Sequence, residues 1–189
     1  MKYQKIEKIH DGEYLDYYHV TYEDEQGHEK VYEMVSRDKE IDSMEKLYDH
    51  STDAVVMIVN DPSDEHVVLL REFRLELGRT IYGFPAGLID EGETAAECAV
   101  RELKEETGLD MVRIRDVLKG AFCAVGISNE TTSCVIGTAT GQFSHHDEGG
   151  EEIDAAWYSK EEVRELIRTE YFGSWAQAYC YMWSREPEQ

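Results

Sequence analysis

The chain has 189 residues, 41% hydrophobic and 11% aromatic, which suits one globular domain with a core and argues against disorder. Its formal charge of −22, from 41 acidic and 19 basic side chains, opposes a polymer nucleic acid, whose binding needs clustered Lys and Arg. The same charge means that a small anionic substrate would approach only through metal cations or a local basic patch.

No stretch approaches the roughly 20 apolar residues that cross a bilayer, so no membrane partner is expected. The start, Met1 to Lys8, carries basic residues with no apolar segment behind them, and is not read as a secretory signal. Cys98, Cys123, Cys134 and Cys180 form no Cys-x-x-Cys pair and read as small buried hydrophobes. A reduced, cytoplasmic setting is expected.

Tyr17 to Tyr22 and Val31 to Val35 are β-prone runs joined by the polar turn Glu23 to Lys30, a hairpin. Ala54 to Val59 and Val67 to Phe73 flank Asn60-Asp61-Pro62-Ser63-Asp64, which predicts a second hairpin. Thr80 to Phe84 follows, and strands recur at Val112–Leu118, Gly120–Val125, Thr132–Thr138 and Asp154–Tyr158. The sheet is expected to be mostly antiparallel or mixed. Ser159 and Glu162 have capping-box spacing and open a helix to about Thr169. Ser174 is expected to cap a final helix with Trp175, Ala178, Tyr179 and Met182 on one apolar stripe. Strands interrupted by a central helix and closed by helices predict helical layers on both sides of a sheet, an α/β (α+β) fold.

The central helix is bounded by a Thr94/Glu97 capping box and by Gly108, suited to the left-handed C′ position. Ala96, Ala99, Val100 and Leu103 form the expected buried stripe, and Glu102, Glu105 and Glu106 converge roughly opposite it. Like charges at that spacing repel by about 0.2 to 0.5 kcal/mol per pair. A hard divalent cation would offset this, because Mg²⁺ prefers oxygen ligands. Three solvated glutamates on an acidic surface would also read this way, so the surroundings must decide.

Those surroundings are Gly87, five residues, Glu93, seven residues, then Arg101-Glu102-Leu103-Lys104-Glu105-Glu106-Thr107-Gly108-Leu109. This run resembles the Nudix hydrolase signature at every specified position, with Leu103 and Leu109 as its aliphatic sites. The resemblance implies an α/β/α sandwich with a mixed sheet and an N-terminal β-hairpin or sheet. Residues 1–50 would be the N-terminal region, serving dimerisation and the base pocket, and residues 51–189 the hydrolase domain. It further implies that Glu102, Glu105 and Glu106 hold Mg²⁺ or Mn²⁺, that the Ala86 carbonyl adds a ligand, that Arg101 orients the glutamates, and that Gly87 and Glu93 support the loop.

Cleavage would be attack of water on phosphorus, which needs a base beyond the cluster. Glu148, Glu151 and Glu152 lie in a Gly-rich loop, and Glu152 is favoured by resemblance to the ADP-ribose-cleaving branch; a solvated acidic loop is the competing reading. Three flanks resemble that branch: Leu70-Arg71-Glu72-Phe73-Arg74, Phe84-Pro85-Ala86-Gly87-Leu88-Ile89-Asp90, and Gly126-Ile127-Ser128-Asn129-Glu130. Arg74 matches a phosphate-contacting arginine, although pairing with a local carboxylate serves equally well. Glu130 is a further candidate for substrate contact. Tyr17, Tyr18, Tyr32 and Arg37 are candidates for a base pocket shared by two chains of a homodimer, against the commoner role of strand tyrosines in sheet packing. His145-His146 lacks a third ligand at zinc spacing. Gly83 and Val125 stand where the branch usually has Glu and Pro, so the substrate that the resemblance implies widens from ADP-ribose to a related nucleoside diphosphate sugar. The alternatives are hydrolysis of a triphosphate, NADH or a dinucleotide, and a non-catalytic nucleotide-sugar-binding regulator.

Overall fold

The computed structural model describes residues 1–48, 51–144 and 153–185. In chain order the elements are β1 (Lys2–His10), β2 (Asp16–Glu23), β3 (Glu29–Ser36), α1 (Met44–Tyr48), β4 (Ala54–Asn60), β5 (His66–Arg74), β6 (Arg79–Gly83) and β7 (Ala86–Leu88). Then come α2 (Ala95–Thr107), β8 (Asp110–Val117), β9 (Ala121–Phe122), β10 (Thr131–Thr140), β11 (Ile153–Ser159), α3 (Lys160–Thr169) and α4 (Ser174–Trp183). No described helix is long and apolar enough to cross a membrane.

The chain divides into two compact units, Met1–Asp53 with Gly120–Thr132, and Ala54–Lys119 with Ser133–Gln189. The first unit therefore includes an excursion that a boundary at residue 50 leaves out. Its three-stranded sheet has the order β1-β2-β3, antiparallel throughout. The expected hairpin is β2–β3, with Gly27 at φ 83° in its turn. The sequence reading missed β1 because its run Lys-Tyr-Gln-Lys-Ile-Glu-Lys-Ile is mostly polar. One face buries Ile6, Tyr18, Val20, Met34 and Ile41.

In the second unit, strand alternation decides which face each side chain joins. Val55, Met57 and Val59 of β4 and Val68 of β5 pack with Cys98, Ala99, Leu103 and Leu109. Their neighbours Val56, Ile58, Val67 and Leu69 turn the other way, towards Val163, Ala176 and Cys180 of α3 and α4. The sheet is thus covered by α2 on one face and by α3 and α4 on the other, the α+β sandwich expected from the sequence.

Both capping boxes form as the spacing predicts, at Thr94/Glu97 and Ser159/Glu162, and Gly108 takes φ 78° at the end of α2. The apolar faces needed correction. On α2 the buried residues are Cys98, Ala99, Leu103 and Thr107, while Val100 is 43% exposed. Thr107 joins them because its hydroxyl donates to the Leu103 carbonyl at 2.5 Å and accepts from the Leu109 amide. On α4 the N-cap is Gly173, without a side-chain cap, and Ser174 is already helical. Ala176 and Cys180 are buried there, whereas Met182 is 73% exposed. Cys98, Cys134 and Cys180 are buried free thiols, and Cys123 is half-buried.

Candidate active site

The site is organised where β7 and the loop after it meet α2. β7 pairs with β4 through Ala86↔Val56 and Val55↔Gly87, so this short segment lies against a core strand. Gly87 is required by close approach: a Cβ there would fall on the Glu102 carboxyl group. The backbone of β7 and the Glu102 side chain are therefore in direct contact.

Arg101 collects the acidic groups. Its Nε donates to Glu93 Oε1 at 3.0 Å and its Nη2 to Glu93 Oε2 at 2.8 Å, a two-pronged pair. Its Nη1 donates to Glu102 Oε1 at 2.7 Å and Glu105 Oε2 at 3.1 Å. Nη2 also reaches the Leu88 carbonyl at 3.1 Å and lies 3.7 Å from Asp90 Oδ2. Glu93 accepts in addition from the Asp90 amide at 3.1 Å, which closes the loop onto the helix. Glu106 accepts from the Ala86 amide at 3.1 Å. Gly87, Glu93, Arg101, Glu102, Glu105, Glu106 and the Ala86 backbone are thus brought together in one unit of the fold.

The electrostatics follow from these contacts. The Arg101 hydrogen bonds hold the Glu93 carboxyl down at about 2, and Glu93 in turn pushes the Arg101 guanidinium above its ordinary range. Burial pushes the Glu102 carboxyl upwards, against the opposing pull of Arg101. Burial also drives the Cys98 thiol up to about 12, so it is an inert neighbour rather than a nucleophile.

A divalent cation fits the donor chemistry: three carboxylates on adjacent turns of α2, with Glu102 seated on a glycine that leaves room for nothing else. Among the described residues, no three His, Cys, Asp or Glu side chains already surround a common point. Arg101 supplies the positive charge for Glu102 and Glu105 in this arrangement.

Arg74 is paired with two local carboxylates. Its Nη1 donates to Glu72 Oε1 and its Nε to Glu76 Oε1, each at 2.9 Å. In the first unit, Arg37 Nε donates to Glu130 Oε1 at 3.1 Å, so two residues 93 positions apart form one pair. Tyr18 is fully buried, and its hydroxyl donates to the Asp38 carbonyl at 3.0 Å. This corrects its assignment to base stacking, because no ring face is left open. Tyr17 is half-buried with its hydroxyl 3.2 Å from His19 Nε2, and Tyr32 donates to the Gly126 carbonyl at 3.1 Å. Glu148, Glu151, Glu152, His145 and His146 lie outside the described residues. The sequence reading overlooked Asp90 and the Leu88 carbonyl; Asp90 was visible only as the last residue of the flank entering the motif.

A family model described as NUDIX domain matches residues 50–177, and the chain belongs to that family. It is 31% identical over 138 residues to the ADP-sugar pyrophosphatase of Mus musculus, covering 71% of this chain and 60% of that one. It is 31% identical over 129 residues to the ADP-ribose pyrophosphatase of Mycobacterium tuberculosis, covering 65% and 61%. The chain thus spans about three fifths of the length of these curated relatives. A solved structure described as that of an ADP compounds hydrolase superposes with a TM-score of 0.74 at 22% identity, over 97% of this chain and 92% of the other, which shows a common fold.

Proposed function

We propose that this protein is a divalent-metal-dependent hydrolase that cleaves the pyrophosphate bond of ADP-ribose or a related nucleoside diphosphate sugar, giving a nucleoside monophosphate and a sugar phosphate. The observation that carries the proposal is the Arg101 network, which gathers Glu93, Glu102 and Glu105 beside Glu106 and Gly87. The relatives named for ADP-sugar and ADP-ribose cleavage support the substrate class.

Glu102, Glu105 and Glu106, with the Ala86 carbonyl, would hold Mg²⁺ or Mn²⁺. When bound, the cation supplies neutralisation of the diphosphate and a lowered pKa for water. The chain's own contribution is placement. Glu93 fixes Arg101, Arg101 fixes the rotamers of Glu102 and Glu105, and Gly87 keeps the Glu102 carboxylate against the β7 backbone. Arg74 would exchange one of its carboxylate partners for a substrate phosphate, for which its fork of donors is suited. Glu152, or else Glu151, is proposed as the base that takes the proton from the attacking water. Arg37, Glu130 and Tyr17 are proposed to contribute to substrate binding, and a homodimer in the cytoplasm is the proposed state of the molecule.

The direct test is Glu106→Gln assayed with Mg²⁺ against ADP-ribose, following release of AMP and ribose phosphate. Turnover should fall by about 100-fold; undiminished turnover would sink the metal-ligand assignment. A panel of ADP-glucose, other nucleotide sugars, nucleoside triphosphates, NADH and dinucleoside polyphosphates separates the proposal from hydrolysis of those other compounds and from binding without cleavage.

A further inference from the structure

Gly83 is a glycine that neither backbone nor packing explains. Its φ lies outside the left-handed region, and a Cβ there would meet no heavy atom of the described residues within 4 Å. Gly87 and Gly108, by contrast, are demanded by a close carboxylate and by a positive φ. A strand glycine weakens the strand and packs nothing, so one without a structural reason marks a place where something else approaches.

The register says which way the missing side chain would point. β5 and β6 pair without a shift from Leu70↔Gly83 to Arg74↔Arg79, so Leu70, Glu72, Arg74, Ile81 and Gly83 share a face. Val68 of β5 belongs to the α2 core, whereas Val67, Leu69, Tyr82 and Phe84 belong to the α3–α4 core. By alternation, the gap at Gly83 opens on the α2 face, the face of the clustered glutamates. Gly83 is also only three residues from Ala86, at most about 11 Å of chain, and the Ala86 amide is hydrogen-bonded to Glu106.

On that face Leu70 lies across from Gly83 and Ile81 two residues before it, and the polar groups follow further along β5. Glu72 and the Arg74 guanidinium border the face, while the rings of Tyr82 and Phe84 lie on the opposite face, away from any ligand there. A carboxylate and a guanidinium suit hydroxyl groups and phosphate, whereas an adenine ring would call for an aromatic platform. We infer that Gly83 is a specificity-determining residue whose absent side chain leaves room for the sugar of a nucleoside diphosphate sugar, and that the room admits a hexose as well as a pentose. The inference rests on the proposed nucleotide-sugar hydrolysis and adds which part of the substrate this face receives.

The test uses the unmodified chain, Gly83→Ala and Gly83→Gln, with kcat and KM measured for ADP-ribose and ADP-glucose and melting followed in parallel. Both variants should melt at or above the temperature of the unmodified chain, since the position is open among the described residues and a β conformation accepts either residue. The ratio of kcat/KM for ADP-glucose to that for ADP-ribose should fall about tenfold in Gly83→Ala and further in Gly83→Gln, mainly through KM. A ratio unmoved in both folded variants would overturn the inference while leaving the hydrolase proposal standing. So would an unmodified chain that cleaves ADP-ribose and rejects ADP-glucose. An unmodified chain that cleaves neither would remove the hydrolase reading and this inference together.

Discussion

Arg101 and Glu93 are joined by two parallel hydrogen bonds of 3.0 and 2.8 Å, so that the loop before α2 and the helix itself share one charged clasp. The geometry uses both the Nε and Nη2 edge of the guanidinium, leaving Nη1 for Glu102 and Glu105. Lysine cannot reproduce this fork. Arg101→Lys should therefore lower kcat/KM by about 10- to 100-fold, with the helix content by circular dichroism unchanged. Near-normal kinetics in that variant would show that the clasp is dispensable.

The same clasp sets an acid limit. Glu93 has a folded value of about 2 against an ordinary 4.5, so its pairing stabilises the fold fully above about pH 4.5 and is lost as pH falls from there through 2. A series of denaturant midpoints between pH 6 and 2 should fall less steeply in Glu93→Gln than in the unmodified chain. Parallel curves would place the acid sensitivity in other carboxylates.

Gly87→Ala should disturb the site sharply, because the added carbon would occupy the place of the Glu102 carboxyl group. Overpacking of this kind costs about 1 to 3 kcal/mol, and Glu102 would have to leave its seat on β7. Mg²⁺-dependent turnover should be lost even where the variant remains folded by circular dichroism. Retained turnover would mean that Glu102 need not sit there.

Chelation separates chemistry from folding. The helix α2 is held by its capping box and by buried Cys98, Ala99 and Leu103, none of which involves a cation. EDTA should abolish turnover and leave far-ultraviolet dichroism intact, and added Mg²⁺ or Mn²⁺ should restore activity. Activity that persists after exhaustive chelation would refute metal dependence.

Thr94→Ala removes the hydroxyl that accepts from the Glu97 amide at the start of α2. The loss should be about 1 kcal/mol, or roughly 2 to 4 °C of melting temperature for a domain of this size. KM for a nucleotide sugar should change little, because the cap lies at the end of the helix away from Glu106.

What could be read along the chain was what depends on near neighbours. Thr94 with Glu97, Ser159 with Glu162 and Gly108 announce helix ends because their hydrogen bonds close within three or four residues. The turn at Asn60–Asp64 was legible for the same reason. Faces were less legible: α4 carries apolar residues nearly all round, so only the packing of β4, β5 and β6 decides that Ala176 and Cys180 are buried and Met182 is exposed. β1 acquires its structure from pairing with β2, which its polar composition does not advertise.

The site divides along the same line. The sequence by itself determined the family and the three glutamates on one helical surface, because helical periodicity fixes which residues are neighbours. Tertiary structure alone decided that Arg37 meets Glu130, that Tyr18 is core, and that Gly83 opens on the α2 face. Those relationships arise from strand register and from chain segments far apart in sequence, and no local spacing encodes them.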